Sequence, residues 1–396
     1  MSNLRSKRPV VRKIVHLSLI IILFSGLPLH SLTAQIGTAG IQEEQDYAFA
    51  FGLYQDKLYQ LASDQFQKFI DQYPASSKRP DAIFLFAECR YAMGNYDEAI
   101  SVLKSFAREF PRHKLRPDAL FRLGEANFKL HHFADAIPFY KEIVENYGQS
   151  DLAGEASYWI GEAYFKTDDF VSASKYYTIS AEKYPTNKLA DYALYSLGWA
   201  AEQQKDFQKA IGYYQRLLDE KKQSDLRSTT TVRIGECYSK SGQFQKSIDY
   251  FAAAKPSVTD STEKAAADYC VAEDYYNLQD FVKARTLYEE FCKIYPLNPL
   301  VRTVTYSIGW TYMKTNEFAK AAAVFGDLAT GTDDVAYNSL FRKAQSVRLS
   351  GDTKKALEIF NQVVSSRPNG EYADNALYES GMIHYEQEDY LSLIHI

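Results

Sequence analysis

Histidine, cysteine and carboxylate side chains are the groups through which this sequence could catalyse a reaction or hold a metal ion. Their spacing matches none of the common motifs: there is no HExxH zinc pair, no GxSxG nucleophile turn and no glycine-rich phosphate loop ahead of a lysine. The adjacent pair His131-His132 lies in a short polar stretch, for which a solvated turn is the simplest interpretation. We therefore predict that the protein is not an enzyme and uses no cofactor or metal.

The composition is that of a folded protein with an unusual number of aromatic side chains. Of the 396 residues, 46% are hydrophobic and 24% are charged, and 15% are aromatic, with 31 Tyr and 24 Phe. The formal net charge of −5 argues against general binding to nucleic acid. A chain with this charge favours a neutral or basic partner over an anionic surface.

One unit is repeated along most of the chain. An aromatic residue, followed three positions later by a small residue, recurs at a constant interval of 37 residues. In the first eight units this aromatic residue is Tyr59, Tyr96, Phe133, Phe170, Phe207, Phe244, Phe281 and Phe318. A period of this length predicts a repeat architecture in which each unit packs on its neighbours.

Each unit has the pattern of two helices joined by a short polar turn. In one unit Gly161 lies in the first helix, and Phe170, Ala173 and Tyr177 share one face of the second. Glycine is unfavourable inside a helix, so its recurrence in the first helix predicts that the second helix approaches closely there. The residue expected to face the glycine is the small residue of the second helix, twelve positions later, as Ala173 follows Gly161. Prolines mark the ends of several second helices, at Pro74, Pro111, Pro185, Pro296 and Pro368. Two other prolines, Pro80 and Pro117, lie at the start of first helices.

This pattern resembles the tetratricopeptide repeat (TPR) family over about residues 43–390. The residues of one unit that carry the resemblance are Gly161, Tyr164, Ala173, Tyr177 and Pro185. The resemblance implies an all-α, right-handed superhelical solenoid of antiparallel helix pairs. The long unit is similar in particular to envelope TPR proteins of Gram-negative bacteria, namely the outer-membrane-assembly (BAM) lipoprotein and the Tol–Pal cell-division coordinator.

The chain divides into four predicted parts. These are a signal peptide at 1–34, a short linker at 35–42, the TPR array at 43–390, and residues 391–396, which resemble translated adapter sequence at the end of a truncated reading frame. Nine full repeats and a partial tenth are predicted at about 43–79, 80–116, 117–153, 154–190, 191–227, 228–264, 265–301, 302–336, 337–373 and 374–390.

The N-terminal segment has the pattern of a cleaved secretory signal. Residues 1–13 carry basic side chains and no acid, and an apolar run follows at 17–27. That run is shorter than the ~20 residues of a membrane-spanning helix, so an uncleaved anchor is the less favoured alternative. Cleavage is predicted between Ala34 and Gln35, or alternatively after Ala39. No cysteine follows the run to carry a lipid, so we expect a periplasmic protein that reaches the outer membrane only through a partner.

The four cysteines are expected to be structural. They have no CxxC spacing, which disfavours zinc and thioredoxin-like chemistry. Cys89 and Cys237 take the repeat position that is alanine in other units, as at Ala126, and are predicted to be small core residues. A disulfide between Cys270 and Cys292 would fit an oxidising compartment, but their repeat positions suggest different faces, so we expect them to be unpaired.

The TPR resemblance implies a concave groove lined by the first helices. Its candidate partner-binding positions lie three before, one after and four after the small residue, and together they form an aromatic–acid–aromatic ladder. The ladder residues are Phe84, Glu88, Tyr91, Phe121, Glu125, Phe128, Tyr158, Glu162, Phe165, Tyr195, Trp199, Tyr269, Glu273, Tyr276, Tyr306 and Trp310. Such a ladder suits an extended or helical segment with apolar and basic side chains. The alternative is that the aromatic residues fill gaps between neighbouring repeats.

These features predict a non-catalytic, exported scaffold that mediates protein–protein interactions in the bacterial cell envelope. The expected partners are protein or peptide segments, not nucleic acid. A narrower alternative is a subunit of outer-membrane protein assembly or of the division-linked Tol–Pal machinery. Alternatives of another class are a peptidoglycan or carbohydrate binder, in which aromatic rings stack on sugars, and an enzyme whose catalytic domain follows residue 396.

Overall fold

The computed structural model describes residues 30–389 and Ser392, and within that part of the chain all regular structure is helical. The first helices of successive pairs are α1 (His30–Gln55), α3 (Arg79–Ala92), α5 (Arg116–Lys129), α7 (Leu152–Lys166), α9 (Ala190–Gln203), α11 (Arg227–Lys240), α13 (Ser261–Asn277), α15 (Val301–Lys314), α17 (Asp334–Leu349) and α19 (Ala373–Glu386). The second helices are α2 (Tyr59–Gln72), α4 (Tyr96–Glu109), α6 (Phe133–Asn146), α8 (Phe170–Thr178), α10 (Phe207–Glu220), α12 (Phe244–Ala254), α14 (Phe281–Ile294), α16 (Phe318–Leu328) and α18 (Thr353–Ser366).

The chain forms two compact units, residues 1–98 and 99–396. In the first unit, α1 packs on α2 and α2 packs on α3. In the second unit, each helix from α5 to α19 packs on the next one along the chain. Several first helices there also touch the following first helix, as α11 touches α13. This nearest-neighbour packing confirms the predicted all-α array of helix pairs.

The turn inside each pair has a recurrent backbone form. In the pair α9–α10, Lys205 has a φ of +60°, and the backbone N–H of Asp206 donates to the Ala201 carbonyl at 2.9 Å. This is a Schellman motif, which closes the C-terminus of the first helix. The Asp206 carboxylate then accepts from the Lys209 N–H at 3.1 Å and caps the second helix. One aspartate therefore ends one helix and begins the next.

The positive-φ residue falls at the same repeat position along the whole described array. The residues at this position are Lys57, Gly94, His131, Asp168, Lys205, Gly242, Gln279, Asn316, Gly351 and Glu388. The short polar turns predicted from the sequence are confirmed, and the solvated turn predicted at His131-His132 has both residues exposed. The second helices also end before the prolines, as predicted: α2 ends at Gln72 and α14 at Ile294.

The small residue of the first helix is needed because an aromatic ring of the second helix lies against it. A Cβ atom added to Gly161 would stand 2.5 Å from Cδ1 of Tyr177, and Gly124, Gly198, Gly235 and Gly309 meet the corresponding rings. The predicted close approach is thus confirmed, but its partner differs from the prediction. The nearest group is the aromatic residue 16 positions later (177 − 161), because a ring reaches across the helix pair where the methyl group of an alanine does not.

Three second helices, α8, α12 and α16, are shorter than the regular 14 residues. Helix α8 continues as a π-helical turn, Ile179–Lys183, where the Asn187 side-chain amide donates to the Ser180 carbonyl at 2.9 Å. Helix α12 is followed by a 3-10 turn, Lys255–Ser257, which contains Pro256. Helix α12 has 11 residues against 14 in α10.

Other sequence predictions can be placed on this framework. Residues 1–29, 390, 391 and 393–396 lie outside the described residues, and with them most of the predicted signal peptide and of the predicted adapter-derived end. Residues 35–42 belong to α1 and not to a linker, because no proline interrupts them and they continue directly into the helix of the first repeat. The repeat boundaries remain predictions.

The four cysteines are free. Cys89 and Cys237 are fully buried, which confirms their predicted role as small core residues. Cys270 and Cys292 are half-buried, and each faces a polar group: Sγ of Cys270 lies 3.9 Å from the Asp274 carboxylate. Cys270 and Cys292 are therefore held by different neighbours and are unpaired.

Candidate functional site

The ladder residues occupy the first helices, as the sequence alignment requires. In the unit of residues 1–98 they lie on α3; in the unit of residues 99–396 they lie on α5, α7, α9, α13 and α15. Most are half-buried, Glu88 is buried, and Trp199 is the most open, with 37% of its surface exposed. Within residues 99–396 the ladder residues therefore lie on a partly open surface, which we call the first-helix face.

The ladder aromatics pack first of all inside their own repeat. The ring three positions before the small residue lies on the buried ring of the second helix, as Phe121 does on Tyr140 with centroids 5.4 Å apart. The ring four positions after it lies on the first residue of the second helix, as Phe128 does on Phe133 at 4.8 Å. The same contacts join Tyr158 to Tyr177, Tyr195 to Tyr214, Tyr306 to Phe325, Tyr91 to Tyr96, Phe165 to Phe170 and Tyr276 to Phe281.

These contacts define what the ladder aromatics do for the fold. They fill space within a helix pair, whereas the sequence-based alternative placed them in gaps between neighbouring repeats. Contacts between repeats also occur: Phe165 stacks on Trp199 at 4.8 Å, and Phe128 lies on Trp159 at 5.1 Å. Most of the ladder aromatics are nevertheless only half-buried.

Two of the ladder acids, Glu162 and Glu273, receive hydrogen bonds from buried tyrosines, whereas Glu125 pairs with Arg122 at 2.5 Å. The Tyr177 hydroxyl donates to Glu162 Oε1 at 2.6 Å, and the Tyr288 hydroxyl donates to Glu273 Oε1 at 2.5 Å. Burial, and then the neighbouring Glu162 carboxylate, raises the pKa of Tyr177 well above its usual range, so this hydroxyl keeps its proton and remains a donor. Among the described residues neither Glu162 nor Glu273 has a cation within 4.0 Å. Both acids therefore leave negative charge on the face.

The hydrogen bond shifts by one helical turn where tryptophan replaces the acid. In α9 the ladder position holds Trp199, and the Tyr214 hydroxyl donates instead to Glu202 Oε1 at 2.6 Å. Glu202 is 8% exposed and also pairs with Lys240 at 3.0 Å. The buried tyrosine thus keeps a carboxylate partner, and Trp199 is left on the outside.

A concavity on the first-helix face lies beside Trp310. It has a volume of about 690 Å³ and is lined by the first helices α15, α17 and α19, together with Thr353 at the start of α18. The guanidinium of Arg342 lies over the Trp310 ring, 4.6 Å from its centroid. Arg348 pairs with Glu379 and, at 2.8 Å, with Glu386. We call this concavity the Trp310 pocket.

Sequence reasoning placed Trp310 at this site but missed the residues opposite it. Arg348 occupies the ladder position four after the small residue Ala344, and Gln345 occupies the position one after it. The same alignment extended to the ninth repeat would have found both. Arg342 lies outside the three ladder positions, so the ladder pattern could not predict that it lines the pocket.

Neither a metal cluster nor a membrane-spanning helix occurs among the described residues. Within residues 30–389 no cluster of three or more His, Cys, Asp or Glu side chains is arranged to hold a metal ion. In the same range, none of the helices combines the length and the apolar character that crossing a membrane requires.

Comparison with protein families agrees with the helix pairs. The tetratricopeptide repeat family matches residues 129–188 and 169–225, and the family of anaphase-promoting complex (cyclosome) subunit 3 matches residues 43–143. A search of curated proteins found no significant match. The architecture is a helical repeat array. The chain contains tetratricopeptide repeats.

Solved structures share the fold at low sequence identity. The C-terminal part of a TPR protein from Cytophaga hutchinsonii is 18% identical, with a TM-score of 0.51 over 65% of this chain and 98% of that one. A TPR protein from Parabacteroides merdae is 11% identical, with a TM-score of 0.43 over 68% and 98%. The Naa15/Naa10 complex bound to HypK-THB contains a chain that is 14% identical, with a TM-score of 0.40 over 89% and 62%. TPR arrays serve as protein-interaction scaffolds.

Proposed function

We propose that the chain is an exported scaffold that binds segments of partner proteins on its first-helix face. The observation that carries this proposal is the Trp310 pocket, in which three successive first helices surround one concave space of about 690 Å³. Concave sites with an aromatic anchor and a few polar groups are the usual form of a recognition site. Trp199, stacked on Phe165, offers a second aromatic anchor along the same face.

The expected partner segment carries apolar and basic side chains. An apolar side chain would lie against Trp310 and Leu349, both of which line the pocket. A basic side chain would approach Glu386, which is about half exposed and shares Arg348 with Glu379. Further along the face, Glu162 and Glu273 supply negative charge that no nearby cation offsets. Complementary charge of this kind selects the partner more than it adds affinity.

Site-specific photo-crosslinking tests the partner site. A photoreactive p-benzoylphenylalanine replaces Trp310 in one variant of the full chain and Val171 in a matched control. Val171 is 74% exposed and lies on the second helix α8. We expect a partner protein to be crosslinked in living cells from position 310 and not from position 171.

The companion measurement uses alanine. A double variant, Trp199→Ala with Trp310→Ala, should weaken binding of the crosslinked partner by more than about 1 kcal/mol. The control double variant, Val171→Ala with Val282→Ala, should leave this binding unchanged. Circular dichroism melting shows whether each variant is folded. Crosslinking from position 171 alone, or equal affinity in both folded variants, would move the binding site to the second helices and reject this proposal.

The export part of the proposal rests on the N-terminal sequence pattern. Fusing residues 1–34 to a reporter enzyme that is active only outside the cytoplasm should give activity, and Ile21→Asp in the apolar run should abolish it. Mass spectrometry of the chain should then find Gln35 or Gly40 at the mature N-terminus. An intact N-terminus on a cytoplasmic protein would contradict export.

The cell-envelope role is the narrower part of the proposal. It rests on the similarity of the long repeat unit to the BAM lipoprotein and the Tol–Pal coordinator. Under this proposal the partner crosslinked from position 310 belongs to one of these two machineries, and it also holds the scaffold at the outer membrane. A soluble periplasmic partner unrelated to either machinery would retain the scaffold function and remove the envelope role.

A further inference from the structure

A second cavity opens between the helices α12, α13 and α14, away from the ladder residues. Its volume is about 580 Å³, within the range of small-molecule sites. It lies beside the early end of α12, where the chain leaves the helix at the 3-10 turn Lys255–Ser257, which contains Pro256. Ile294, at the end of α14, also lines the cavity and is 61% exposed.

The floor and walls of this cavity are apolar. Ile248 and Phe251 from α12 and Val258 after the 3-10 turn are buried beneath it. Val271 from α13 and Leu287 from α14 form its sides. An apolar hollow of this size, open to water, is rare on a protein that has nothing to place in it.

Three lysines surround the apolar lining. Lys255, Lys264 and Lys283 come from the 3-10 turn, α13 and α14, and all three are exposed. Among the described residues none of their ammonium groups lies within 4.0 Å of a carboxylate. The acid on the wall, Asp268, accepts a hydrogen bond from the Tyr295 hydroxyl at 2.8 Å, so the cavity has three lysines against one carboxylate. In an acidic chain this cavity combines an apolar interior with a positively charged rim.

We propose that this cavity binds a free aliphatic carboxylate, of the fatty-acid class. The hydrocarbon chain occupies the space over Ile248, Phe251 and Val258, and the carboxylate lies among the three lysines at the rim. Water would solvate such a carboxylate well, so the lysines supply orientation and selectivity for the anion, while burial of the chain supplies affinity. The site is independent of the first-helix face.

Isothermal titration with dodecanoate, kept below its micelle concentration, tests the site on the purified full chain. Dodecanol, which has the same chain and no charge, is the comparison ligand. A triple variant should weaken dodecanoate binding about tenfold and leave dodecanol binding unchanged. This variant combines Lys255→Gln, Lys264→Gln and Lys283→Gln. Ala252→Trp, which places an indole in the cavity, should abolish binding of both ligands.

A matched variant removes three exposed lysines of other second helices, Lys209, Lys354 and Lys355, and should bind dodecanoate as the wild type does. Saturable binding with this pattern of losses supports the proposal. No binding of dodecanoate, or equal binding by a folded Ala252→Trp variant, overturns it. If the protein sediments with vesicles of anionic phospholipid but does not bind free dodecanoate, the cavity faces a membrane surface, and the fatty-acid proposal is overturned. If an acidic peptide binds more tightly and is the only competitor that displaces dodecanoate, the natural ligand is a protein, and the proposal is also overturned.

Discussion

At the scale of single residues, the buried tyrosines of the second helices serve both packing and hydrogen bonding. Tyr177 has no exposed surface, its ring lies against Gly161, and its hydroxyl donates to Glu162. Tyr288 repeats the arrangement with Glu273, and Tyr214 finds Glu202 when tryptophan replaces the usual acid. Each of these hydroxyls thus joins the second helix to a carboxylate of the first helix.

Removal of one hydroxyl tests the value of this bond. Tyr177→Phe keeps the ring but leaves Glu162 without its short donor, so we expect the free energy of unfolding to fall by about 1–3 kcal/mol. Urea denaturation followed by circular dichroism measures the change. Tyr192→Phe, at a side chain that is 39% exposed, is the control and should be neutral. Equal stability of the Tyr177 variant and wild type would show that water replaces the bond at no cost.

Asp274 makes stability depend on pH. It has no exposed surface, and burial raises the pKa of its carboxyl above the usual range, although Ser239 of α11 donates to it. The unfolded carboxyl loses its proton near pH 4 and the folded one at a higher pH. Between these values the folded state binds the proton more tightly, so the contribution of this group to stability falls as pH rises through the window.

Asp274→Asn removes this titration. We expect the variant to melt at a higher temperature than wild type at pH 7, with the difference becoming smaller as the pH is lowered through 4. Scanning calorimetry across that range measures it. Asp225→Asn, at an exposed loop residue, should show no pH-dependent difference. A difference for Asp274→Asn that stays constant with pH would mean that its carboxyl titrates normally in the folded protein.

At the scale of helices, glycine has opposite effects at two positions. Gly161 lies under the Tyr177 ring, whereas no atom lies within 4 Å of a Cβ added to Gly212 in α10. Gly161→Ala should therefore destabilise the protein by about 1–3 kcal/mol through overpacking. Gly212→Ala should stabilise it by up to about 1 kcal/mol through helix propensity alone. Urea midpoints of the two variants, which make the same chemical change, should move in opposite directions.

Helices and turns could be predicted from the sequence because their signals are local. Pro74 and Pro296 mark helix ends, Gly94 marks a left-handed turn, and the 37-residue period aligns these signals from unit to unit. The site was less predictable. The donor to Glu162 lies 15 residues away (177 − 162), and whether a hydroxyl reaches a carboxylate depends on how two helices pack. The cation–π contact of Arg342 with Trp310 joins two repeats and has no counterpart in the repeat pattern.

At the scale of the whole molecule, stability is expected to be local. Within residues 99–396 each helix packs on its neighbours in the chain, and such arrays behave as a row of coupled units with no common core. We therefore expect Gly161→Ala to raise amide hydrogen exchange in α7, α8 and α9 and to leave α17 and α18 unchanged. Exchange mass spectrometry measures this. A uniform increase over all helices would show that the array unfolds as one cooperative body.

The left-handed turn has a consequence for how such an array changes over generations. Three of its ten occurrences hold glycine; the others hold larger residues, as at Lys205, which are strained in that backbone form. Lys205→Gly should stabilise the protein by about 1 kcal/mol, and Lys205→Ala should not, as thermal melting will show. Mutation of a single turn codon can therefore change the heat tolerance of one repeat at a time. The first-helix face is left unchanged by such a mutation.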